Sequence, residues 1–101
     1  MISAWVFKKN KKNMKNLIID AANEKIVFSV ITESQSYTTD HINSIENFDK
    51  FSILLMDFLD TNKINLNELE KIFINQGPGK FSGLRISISI AKAIALAKNI
   101  N

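Results

Sequence analysis

The sequence predicts a single α/β domain, and three observations carry that expectation. Short β-branched runs open it, two long helical patterns follow, and a Gly-Pro-Gly elbow joins a strand to the second of them. At 101 residues, with 46% apolar and 23% charged side chains, the chain has the size that folds around one core. Three Gly and one Pro exclude collagenous and linker-like material.

Leu17-Ile18-Ile19 ends in Asp20, and the run Lys25 to Thr32 is rich in Ile and Val. Joined by the small polar connector Ala21 to Glu24, the two read as a hairpin. Glu33 to Asp40 alternates weakly around Tyr37, which fits an edge strand or a loop. From Ser44 the period changes. Phe48, Phe51, Leu55, Phe58 and Leu59 recur at three and four residues, and Glu46 and Asp49 sit early, where acids suit the helix dipole. One helix is predicted over Ser44 to Asp60, stopping near Thr61-Asn62-Lys63. Asn65 then caps a short turn with Glu68 in the capping-box position, and Lys71 to Asn75 reads as a buried strand.

Gln76-Gly77-Pro78-Gly79-Lys80-Phe81-Ser82-Gly83-Leu84-Arg85 follows that strand. Gly77 and Gly79 supply conformations that a Cβ disfavours, Pro78 fixes one φ between them, and Ser82 can cap a helix. Such an elbow offers N–H groups to an anion. The P-loop signature fails, because its first glycine is replaced by Ile74 and Lys80 is followed by Phe81, so an architectural turn is favoured over a phosphate cradle.

Leu84 to Ile90 alternates like a strand, but Ile90 to Lys98 is Ala-rich and free of Gly and Pro, so one helix from Ser82 to about Lys98 is predicted. Its Ile86, Ile90, Ile94 face and its Leu84, Ile88, Ala91, Ala95 face together exceed half the circumference, more than one sheet covers. Gly83, Ser87, Ala91 and Ala95 fall every four positions and would let another helix approach. The expected partner surface is therefore Gly83, Leu84, Ser87, Ile88, Ala91 and Ala95 with Phe48, Phe51 and Leu55. The alternative is that the first helix covers that face within the chain.

The net charge of +3 is unevenly spread, with Lys8, Lys9, Lys11 and Lys12 in a leader that holds no acid. Beyond it nine basic residues face ten acidic ones, so the body is not basic. Residues 1–13 run apolar first and basic second, unlike a secretory signal. They are expected outside the fold, as a solvated tail or a start-site artefact before Met14, leaving 14–101 as the folded lobe. No run approaches the roughly 20 apolar residues that span a bilayer, so no membrane association is expected. Zero Cys excludes disulfides, thiolate catalysis and cysteine-held metal clusters and is compatible with a cytoplasmic location. The single His41 removes two-histidine mechanisms, and neither a metal nor a catalytic group is expected. Ser82, His41 and Asp20 compose a hydrolase triad only on paper, since Ser82 already has a capping role.

The stretch Ile74 to Ile86, with Ala91-Lys92 and Leu96-Ala97 after it, resembles the Gly-Pro-Gly-Ser-Phe-Thr-Gly-Leu-Arg-Ile signature of the bacterial TsaB (YeaZ) family, with Gly77, Pro78, Gly79, Phe81, Ser82, Gly83 and Arg85 as its structural positions. The resemblance extends loosely back to Leu17. It implies the first lobe of the actin-like ATPase fold (ASKHA, ribonuclease H-like), a mixed sheet with two main helices. It also implies a noncatalytic scaffold for a TsaD paralogue in making threonylcarbamoyladenosine on tRNA. A TsaE-like ATPase would join that pair, tRNA would be met only through the complex, and helix-helix contact would give a homodimer in isolation. No cofactor is expected. The alternative is a nucleotide-binding lobe of an actin-like kinase or ATPase, with Asp20 as the cleft carboxylate. Against it, Asp20-Ala21-Ala22 replaces the family's Asp-Thr-Ser. Asn47-Phe48 stands where the family has a His-Ser pair, Ser87 and Ala93 stand where glycine is frequent, and the family continues past the position of Asn101 into a second lobe. A truncated or first-lobe-only member is expected.

Overall fold

The computed structural model describes residues 2–6, 15–75 and 81–100, with side chains over 15–75 and 85–96. Its elements are β1 (Ile2–Val6), β2 (Lys15–Asp20), β3 (Lys25–Ile31), β4 (Ser36–Ile42), α1 (Ile45–Asp49), α2 (Phe51–Thr61), a 3-10 turn (Leu66–Glu68), β5 (Leu69–Asn75) and α3 (Phe81–Ile100). The strands form one mixed sheet in the order β1-β5-β2-β3-β4, in which β2 and β5 are parallel and every other pair is antiparallel. A mixed sheet with two main helices is the arrangement that the signature implies.

Registers decide which face is covered. Leu17 lies between Val30 and Ile72, and Ile19 lies between Phe28 and Ile74. All six are fully buried, in one cluster with Phe51, Leu55, Phe58 and Leu59 of α2 and Ala91 and Ile94 of α3. Each such large apolar side chain contributes about 1.5–3 kcal/mol by leaving water. Both long helices therefore pack on one face: α3 over β5 and β2, and α2 over β3, where Phe51 meets the Phe28 ring edge-on at 5.3 Å and Phe58 at 6.1 Å. The opposite face carries the half-buried Ile18, Val27 and Phe73 among polar residues, including a Ser29–Thr38 hydroxyl pair at 3.1 Å.

Several sequence expectations are modified. Ile2–Val6 pairs antiparallel with β5, so this part of the leader lies in the sheet instead of outside the fold. The physical reason is that β5 is parallel to β2 and leaves its other edge unpaired, and Ile-Ser-Ala-Trp-Val is β-prone enough to take it. The ambiguous Glu33 to Asp40 region resolves into β4, displaced toward Ile42. The single helix predicted over Ser44 to Asp60 is broken at Lys50, whose φ of −105° and ψ of 11° leave the helical region. The Ser44 hydroxyl caps α1 by accepting from the Asn47 N–H at 3.2 Å, and Asn47 Nδ2 returns to the Ile42 carbonyl at 2.7 Å. α1 is thus tied to the end of β4, while α2 follows the core. No Gly or Pro announces this break.

The end of α2 is a Schellman motif. The Ile64 N–H reaches the Leu59 carbonyl at 2.8 Å and the Lys63 N–H reaches that of Asp60 at 3.0 Å, with Lys63 left-handed at φ 57°. The capping box appears as predicted. The Asn65 N–H donates to Glu68 Oε1 at 2.9 Å, and the Asn65 side chain accepts from the Asn67 N–H at 3.2 Å. Lys15 Nζ meets the same Glu68 oxygen at 3.1 Å, pinning the turn to the start of β2.

Candidate functional site

Two features of the lobe can carry function. The first is the carboxyl end of the parallel pair β2 and β5. Asp20 closes β2 and Asn75 closes β5, so the crossover topology brings residues 55 positions apart to one sheet end. Asn75 Nδ2 donates to Asp20 Oδ2 at 3.2 Å, and the Ala22 N–H donates to Asp20 Oδ1 at 3.2 Å. In open α/β sheets this end of the strands is where ligands bind. The carboxylate is oriented by protein donors on both oxygens, while Ala21 and Ala22 are 1% and 2% exposed and offer no hydroxyl. Gly77, Pro78 and Gly79 lie outside the described residues. α3 begins at Phe81, which puts Ser82 inside its first turn instead of at the cap. Gly83 and Leu84 also fall in that first turn, before the described side chains.

The paper triad of Ser82, His41 and Asp20 does not assemble. Asp20 shares the open face with Val27, opposite which it pairs, whereas His41 pairs with Ile26 and sets its ring 6.1 Å from Phe28 on the helix-covered face. The sheet itself separates the imidazole from the carboxylate.

The second feature is the outer surface of the helix layer, and here the expected partner residues need correction. Ser87 is 1% exposed, Ala91 0%, and Phe51 and Leu55 1% each. These four belong to the internal core, because the small stripe Ser87, Ala91 is what lets α3 settle closely on β2 and β5. Phe48, Ile88 and Ala95 are half-buried at its margins. The side chains facing outward are Arg85, Ser89, Lys92, Ala93 and Leu96 on α3, with Ile86 and Ile90 half-buried beside them, and Ser52, Ile53, Met56, Asp57, Asp60 and Thr61 on α2. Leu96 is 64% exposed and Ile53 60%, with Met56 at 40% beside Ile53 on α2. Of the two apolar faces expected on α3, Ala91 and Ile94 are buried and Ile86, Ile88, Ile90 and Ala95 half-buried, so the chain itself covers much of both, and the outward apolar surface of α3 among the described side chains is Ala93 and Leu96. Ile53 and Met56 lie away from the Phe51, Leu55 stripe of α2 and are exposed.

The sequence model of the family described as TsaD, tRNA N6-adenosine threonylcarbamoyltransferase, matches residues 49–101, just over half of the chain. Among curated proteins, the tRNA threonylcarbamoyladenosine biosynthesis protein TsaB of Buchnera aphidicola subsp. Schizaphis graminum is 31% identical over 84 residues, covering 83% of this chain and 40% of that protein. TsaB of Escherichia coli is 26% identical over 87 residues, 86% of this chain and 38% of that one. The chain belongs to the TsaD family, in its TsaB (YeaZ) branch. YeaZ from Pseudomonas aeruginosa superposes with a TM-score of 0.71 at 20% identity, over 85% of this chain and 40% of that one. A protein described as similar to peptidase YEAZ from Pseudomonas aeruginosa gives 0.69 at 21% identity with the same coverage. These two show the fold. The chain spans about two fifths of the length of these TsaB and YeaZ relatives, and the span is the lobe described above.

Proposed function

We propose that this chain is a noncatalytic partner in the threonylcarbamoyladenosine modification of tRNA. It pairs with a TsaD-type protein, and with a second copy when alone, through the outer surface of α2 and α3. A TsaE-like ATPase joins that pair, and tRNA is reached only through the assembly. The observation that carries the reading is the exposure of Ile53, Met56 and Leu96 on the two helices that, with β5, fall within the family match. A partner covering them would remove apolar surface from water at about 25 cal/mol per Å2. The names of the curated relatives supply the pathway, and the separation of His41 from Asp20 by the sheet speaks against a hydrolase.

Coexpression of the full chain with a TsaD-type protein tests this, with copurification and the threonylcarbamoyladenosine content of tRNA as readouts. A stable pair, lost on Leu96→Glu together with Ile53→Glu, is the expected result. A chain that neither associates nor alters the nucleoside content refutes the proposal.

A second reading, a nucleotide-binding lobe, draws on the Asp20 carboxylate held at the ends of β2 and β5. Calorimetry with magnesium and ATP separates the two. Saturable heat that Asp20→Ala abolishes would shift the assignment to this reading.

A further inference from the structure

The cleft between β4 and α2 belongs to neither feature above. It encloses about 370 Å3, with Thr39 and His41 on the strand side and Leu54, Asp57, Phe58 and Thr61 on the helix side. β4 is the outermost strand on this side of the sheet and pairs with β3 along all seven of its residues without a bulge. Among the described residues its other edge pairs with no strand, which leaves N–H and C=O groups directed outward. Such an edge beside a helix accepts an extended peptide. Ladder hydrogen bonds supply affinity, and alternate side chains descend into the cleft between strand and helix.

The lining defines the peptide's chemistry. Leu54 and Phe58 present an apolar floor, and Asp57 on the helix wall is exposed and makes no ion pair among the described residues. Residues 43–61 hold four acids, Glu46, Asp49, Asp57 and Asp60, against one Lys50, in a chain whose net charge is +3, while Asp40 of β4 lies on the open face of the sheet with Lys25 Nζ at 3.7 Å. Edge-to-edge pairing of two copies would bring two such acidic flanks together, which charge repulsion opposes. A basic segment is attracted where a second copy is repelled.

We propose that the β4–α2 cleft docks an extended segment of another protein as an added strand, one that alternates an apolar residue with lysine or arginine. This does not depend on the tRNA-modification reading. The test uses the full chain at low salt and a short blocked, labelled peptide of alternating valine and lysine, followed by fluorescence anisotropy. Binding is expected, with Asp57→Lys weakening it about tenfold through lost attraction and added repulsion. The matching valine–glutamate peptide should not bind, and amide exchange should slow at residues 37–41. Asp57 is exposed, so circular dichroism should show the variant folded. Failure of the valine–lysine peptide to bind overturns the proposal. So does equal binding to the Asp57→Lys protein, or protection confined to another strand.

Discussion

Replacing Ala91 by glutamate separates the core face of α3 from its contact face. Ala91 is 0% exposed in the cluster with Leu17 and Ile72, so the introduced carboxyl has no route to water without moving the helix. Keeping it neutral at pH 7, when its unfolded counterpart ionises near pH 4.3, costs about 4 kcal/mol at 1.36 kcal/mol per pH unit. The extra side-chain volume in a closed packing adds about 1–3 kcal/mol. The sum of about 5–7 kcal/mol is comparable with the whole stability of a domain this size, about 5–15 kcal/mol. Urea unfolding followed by circular dichroism should therefore show a midpoint near zero denaturant, or an unfolded chain. The folded pKa of the new carboxyl is raised above its unfolded value, so the ionisation part of this loss is absent below about pH 4 and grows as pH rises toward the folded pKa, while the steric part of about 1–3 kcal/mol remains at every pH. Leu96→Glu, on the 64% exposed position of the same helix, should change stability by less than about 0.5 kcal/mol while lowering the mass seen by light scattering if α3 mediates association. An Ala91→Glu protein within about 1 kcal/mol of the parent, altered only in association, would refute the assignment of that face to the core.

Phe28→Ala removes the ring that meets Phe51, Phe58 and His41, and should lower unfolding stability by about 3–5 kcal/mol, with Phe28→Leu costing clearly less in the same urea titration. Asn43→Ala deletes the amide that donates to the carbonyls of Ala21 at 3.0 Å and of Asn23, and leaves the former buried without its donor. A loss of about 2–3 kcal/mol is expected from thermal unfolding. Lys63→Gly relieves the left-handed position that ends α2, and its melting temperature should rise by a few degrees, equivalent to about 0.5–1 kcal/mol; a fall would mean that the Lys63 side chain contributes more than its backbone costs.

The residue pattern alone determined the α/β class, the β2–β3 hairpin, the helical character of α2 and α3, and the capping box at Asn65 and Glu68. Each is written in nearest-neighbour terms: period, β-branching, and a capping side chain three residues from its partner. The Gly-Pro-Gly-containing signature placed the chain in its family through residues 74–86, although residues 76–80 lie outside the described structure. Tertiary packing decided the rest. The break at Lys50 arises because Asn47 ties α1 to β4 while Phe51 turns toward Phe28, a competition between partners far apart in sequence. β1 joins the sheet because a parallel strand elsewhere left an edge to fill. Which apolar stripe of α3 is core and which faces out depends on where β2 and β5 lie beneath it, so Ser87 and Ala91 became interior and Leu96 exterior. Asp20 and Asn75 met for the same kind of reason, since only a crossover connection sets two strand ends side by side. Periodicity fixes how many faces a helix must bury, and only the neighbouring elements fix which of them is buried by the chain itself.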